Sequence, residues 1–76
     1  MTPDTFCANA REELADQTPN DGWVRGARGL CEMYESVDAR RFELILKQMA
    51  AGRTGSAWAD GGRWLLARWQ VATKLT

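Results

Sequence analysis

Histidine is absent from this 76-residue chain. Its absence removes His-based zinc sites, Ser-His and Cys-His nucleophile pairs, and the side chain that most often moves protons near neutral pH. Net charge is missing too, because ten Lys and Arg balance ten Asp and Glu. Neither the uniform field of a strongly basic nucleic-acid binder nor that of an acidic mimic is present. No stretch approaches the roughly 18 consecutive apolar residues of a membrane-spanning helix. The first ten residues carry Asp4 and no Lys or Arg, unlike an export signal. The expectation is a cytoplasmic protein that engages no membrane.

Cysteine is scarce as well, with Cys7 and Cys31 alone and no C-x-x-C spacing, which points away from a metal centre and from thiol redox catalysis. No Walker loop or G-x-G-x-x-G motif occurs, and the glycine-containing segments 25–29 and 52–56 match no phosphate-cradling pattern. Ten carboxylates are available, but nothing in their spacing marks a catalytic pair. These absences predict a protein without enzymatic activity, cofactor or metal.

What remains is 45% hydrophobic and 26% charged, the composition of one small globular domain over residues 1–76. A chain this short buries only about 60% of its unfolded surface, so most large side chains are needed for the core. Four stretches with helical periodicity lie between Pro or Gly punctuation, and no β-branched alternation suggests a strand. The fold class expected is all-α, a compact bundle of four short helices.

The first helix starts with Thr2 as cap, Pro3 in the first turn and Asp4 at the positive helix end, and runs to about Gln17. Phe6, Cys7, Ala10 and Leu14 form its apolar stripe. Thr18-Pro19-Asn20-Asp21 repeats the start signal for a second helix reaching about residue 35, with Trp23, Ala27, Leu30, Cys31, Tyr34 and Val37 at helical spacing. Gly22, Gly26 and Gly29 share a face there, which predicts close packing against another backbone. Ser36 is read as the cap of a third helix ending at Gly52, with Phe42, Ile45, Leu46 and Met49 as its stripe. Leu44 lies off that stripe, and burial of this helix on two sides is expected, the alternative being one apolar residue presented outward for a partner. The last helix starts at Ser56 or Asp60, and its apolar arc takes in Trp64, Leu65, Trp69, Val71, Ala72 and Leu75, with Arg68 inside it.

Cys7 and Cys31 lie about equally far in sequence from the turn at Pro19. An antiparallel hairpin therefore sets them side by side, as packed thiols rather than a disulfide. Charge is graded along the chain, from −4 over residues 1–22 to +3 over residues 52–76. Glu12, Glu13 or Asp16 on the first helix is thus expected to face Arg63, Arg68 or Lys74 on the last. The alternative leaves Glu12, Glu13 and Asp16 as a free acidic patch for a partner.

Four tryptophans in so short a chain are the main functional clue, because tryptophan concentrates at the energetic centres of protein interfaces. The core takes two or three of them. The expectation is that Trp64 or Trp69 faces solvent beside an arginine, with Trp58, Arg63 and Arg68 completing a partner-binding surface. The leading reading is a small module that occludes or adapts a protein partner. Its size and lack of catalytic groups are those of many phage-encoded inhibitors, anti-CRISPR proteins among them. Two other readings stay open: a nucleic-acid-binding regulator using the Trp/Arg C-terminal helix, and a structural subunit held as a homodimer or larger homo-oligomer.

Overall fold

A computed structural model describes residues 1–74 and contains four helices: α1 (Pro3–Leu14), α2 (Gly22–Tyr34), α3 (Ala39–Ala50) and α4 (Ala57–Lys74). No strand occurs among the described residues, so the all-α class and the count of four helices both hold. Leu75, expected in the apolar arc of the last helix, lies outside the described residues. With 18 residues, α4 is about 27 Å long at the rise of an α-helix. It is the spine of the bundle, packing on α2 and on α3, while α1 packs chiefly on α2.

The helix starts show where local signals win and where they do not. Thr2 caps α1, its Oγ1 accepting from the Thr5 N–H at 3.4 Å with Pro3 in the first turn. At residues 18–21 the expected helix start is instead a turn. The Asp21 N–H donates to the Thr18 carbonyl at 3.2 Å, with Pro19 at the second turn position, which suits proline as well as a first helical turn does. α2 therefore begins after Asp21. Ser36 likewise belongs to the turn closing α2, where the Val37 N–H donates to the Tyr34 carbonyl. The cap of α3 is Asp38, whose Oδ1 accepts from the Arg41 N–H at 2.9 Å. α1 also stops at Leu14, short of Gln17.

α4 starts after Ser56 and runs unbroken through Gly61 and Gly62. Asp60 organises its entry: it accepts from the Gly55 N–H at 3.2 Å and pairs with Arg63 at 2.7 Å. Arg63 also donates to the Gly52 carbonyl, closing the linker onto the helix.

The glycines of α2 and α4 meet. A Cβ on Gly26 would stand 1.9 Å from the Ala57 carbonyl oxygen, and one on Gly61 would stand 2.3 Å from the Ala27 nitrogen. Both are far inside van der Waals contact, so the two backbones touch as expected for α2, with the complementary small residues supplied by α4. Around this seam, Leu30, Leu46 and Leu65 are buried with an aromatic cluster of Phe6, Phe42 and Trp69. Trp69 makes edge contacts with Phe6 at 5.2 Å and with Phe42 at 5.0 Å, joining α1, α3 and α4. Such pairs add about 0.5–1.5 kcal/mol each beyond the area they bury.

The seam gives a sharp prediction for two glycines four residues apart. Gly26→Ala, which must push the helices apart, is expected to cost about 3 kcal/mol in urea unfolding. Gly22→Ala meets only the Ala57 Cβ at an ordinary 3.7 Å and is expected to stay within about 0.5 kcal/mol of the wild type.

Candidate functional site

The five aromatic and basic residues expected to bind a partner do not share one patch. Trp69 is a correction: it is 1% exposed, enclosed by Phe6 and Phe42, and is a core residue that cannot dock anything. Its place in the apolar arc gave no hint of this. Trp58 and Trp69 are only about 20° apart around α4 at 100° per residue. The same face is covered by α1 and α3 at Trp69, yet Trp58 is 45% exposed.

Trp64 is half-buried, tilted against Trp23 with ring centroids 5.6 Å apart. The Arg68 guanidinium carbon stands 3.9 Å over the Trp64 ring, and Arg68 Nε donates to Glu13 Oε2 at 2.8 Å. The expected acid-to-base pairing between first and last helices is therefore present as Glu13–Arg68, across a trough between α1 and α4. Glu12 and Asp16 are exposed. Arg63 is engaged by Asp60 and the Gly52 carbonyl. A phosphate approaching Arg63 or Arg68 would have to displace a carboxylate already in place.

Trp58 belongs to a different surface. Its indole lies over Gly29, where a Cβ would stand 2.9 Å from Trp58 Cη2, so the bare backbone of α2 seats the ring. Together with Leu30, Met33, Tyr34 and Met49 it encloses an apolar hollow of about 220 Å³. Across Met33 and Tyr34 the hollow continues into a groove between α2 and α3, where Val37, Leu44 and Ile45 lie among the polar side chains of Asp38, Arg40, Arg41 and Gln48. Met33 is 58% exposed and Leu44 55%. α3 is therefore not buried on two sides: it is an edge helix whose buried stripe carries Phe42 and Leu46, and Leu44 faces out. Leu44 lies off the stripe of α3, and Met33 carries the same signal in the sequence, because it falls outside the periodic set of α2.

Cys7 and Cys31 are fully buried, neighbouring and unbonded. A hydrogen bond to Cys31 and burial together push the Cys7 thiol far above its usual range. Among the described residues no three His, Cys, Asp or Glu side chains gather where a metal could sit, and no helix is long and apolar enough to cross a membrane.

No protein-family model, curated protein or solved structure matches the chain. Its functional reading rests on its own surfaces.

Two outcomes follow. Trp69→Ala removes the keystone of the aromatic cluster and is expected to cost about 3–5 kcal/mol, leaving a chain that melts without cooperativity in circular dichroism. Both thiols should react with an aromatic disulfide reagent at least on the order of a hundredfold more slowly in the native protein than in guanidinium, since labelling requires opening of the α1–α2 contact. Rapid labelling of either native cysteine would contradict their enclosure.

Proposed function

We propose that this protein is a non-enzymatic binding module that docks a protein partner on the α2–α3–α4 face around Trp58 and Met33. The carrying observation is the apolar hollow of Leu30, Met33, Tyr34, Met49 and Trp58, which keeps a half-exposed indole and an exposed thioether beside each other in a small domain. Large apolar residues left exposed side by side support a docking reading. Tryptophan supplies a large anchor with little rotamer entropy to lose, and methionine adapts to the shape of what it meets. A hollow of this size accepts one apolar side chain of a partner.

The binding surface is thus moved from the Trp64–Arg68 side of α4 to Trp58. Trp64 and Arg68 contribute by bracing α4 against α2 and α1, through Trp23 and Glu13. In this reading the domain acts in the cytoplasm by occluding or adapting its partner, the mode of small phage-encoded inhibitors, with no cofactor consumed.

The test places a photo-reactive benzoylphenylalanine at position 33 and irradiates the protein in host lysate, with Met33→Glu as competitor. The expected outcome is one dominant protein adduct, competed by unlabelled wild type and not by Met33→Glu. Adducts competed equally by both proteins would reject this surface. Because Met33 is exposed, Met33→Glu should shift stability by no more than about 0.5 kcal/mol in urea unfolding.

A further inference from the structure

We infer that the occupant of this face is an acidic amphipathic helix, laid along the groove between α2 and α3 with its apolar stripe on Met33, Leu44 and Ile45 and its carboxylates toward Arg40 and Arg41. The inference rests on the docking reading above and specifies the chemistry of the partner.

Charge complementarity selects the sign. Arg40 and Arg41 line the groove and are exposed. No guanidinium contact holds either of them among the described residues, where the ion pairs are Arg11–Glu35, Lys47–Glu43, Arg63–Asp60 and Arg68–Glu13. The carboxylates nearest in sequence are already committed. Asp38 caps α3 through the backbone N–H of Arg41, and Glu43 stands 3.8 Å from Lys47. Two uncommitted cations therefore stand beside Leu44 and Ile45 in a groove whose one carboxylate, Asp38, is engaged as the cap of α3, and an approaching carboxylate meets them without displacing anything. A basic partner finds only Asp38 there, against two arginines.

Groove geometry selects the helix. Both walls are helices, whose backbone groups are bonded internally, so the groove offers no edge to which an extended peptide could add a strand. A partner backbone lying there must satisfy its own N–H and C=O groups, which an α-helix does. From Arg41 to Met49 the groove follows α3 for about 12 Å, and two helical turns cover about 11 Å. That length matches a partner presenting apolar residues at i, i+4 and i+7, with the last in the hollow under Trp58.

The experiment selects helical peptides from a display library with randomised surface positions, using the intact protein as bait. The enriched peptides are then measured by fluorescence anisotropy against wild type, the double variant Arg40→Glu/Arg41→Glu, and Met33→Glu. Leu44→Glu repeats the apolar arm should Met33→Glu change the circular dichroism spectrum. Enriched peptides are expected to carry net negative charge and the i, i+4, i+7 apolar pattern. They should bind about tenfold more weakly to the double arginine variant, lose affinity as salt rises, and fail to bind Met33→Glu. Peptides lost on Met33→Glu but neutral, basic or indifferent to the arginine reversal overturn the acidic-helix inference and leave the docking reading standing. No enrichment, or enrichment indifferent to Met33 and Leu44, overturns both. A dimer in sedimentation equilibrium that dissociates on Met33→Glu would make a second copy the occupant and likewise overturn the inference.

Discussion

The contact between the backbones of α2 and α4 at Gly26 and Gly61 is the constraint on which the rest of the bundle depends. It brings α4 so close to α2 that Trp23 meets Trp64 on one side of the crossing while Trp58 is laid over Gly29 on the other. With α4 fixed there, its far end presents Trp69 to Phe6 and Phe42, and α1 and α3 gain an aromatic surface to close upon. Two glycines in helix interiors cost close to 1 kcal/mol each in propensity. The packing they permit offsets that cost, since a seam without side chains wastes no volume in a domain with little volume to spare.

The same constraint explains why one face stays open. α4 is about 27 Å long, and α1 and α3 have only 12 residues each, about 18 Å. They cannot cover its whole length. Uncovered parts lie near both ends of α4, at Trp58 and at Val71, which is 60% exposed although it belongs to the expected apolar arc, and the connection from α2 to α3 leaves Met33, Leu44 and Ile45 along the groove beside Trp58. The proposed docking surface is thus a by-product of unequal helix lengths, put to use by large apolar residues that a purely solvated rim would not carry.

Much of this architecture is legible in the chain. The apolar stripe of α1, its cap at Thr2 and the glycine face of α2 depend on periodicity and local hydrogen bonding, and each is found where those rules place it. The neighbouring of Cys7 and Cys31 follows from hairpin arithmetic alone. α2 and α3 start later than the local signals place them because Thr-Pro and Ser-Val-Asp suit turns as well as helix starts, and the chain uses both as turns. The candidate surface was legible only in part. Helical angle puts Trp58 and Trp69 on one face of α4, and the difference between an anchor and a core residue lies in which other helices reach that far, information that no local pattern holds.

α1 is the least tied of the four helices, meeting the others through α2, the Phe6 edge contacts and the pairs Arg11–Glu35 and Glu13–Arg68. The cheapest excursion of the native state is therefore a detachment of this one segment, with α2, α3 and α4 still assembled behind it. Such an opening would uncover an indole and two thiols in a single event, so that slow amide exchange, tryptophan quenching and sulfur chemistry all become reporters of one motion, on the side of the molecule opposite in role to the groove.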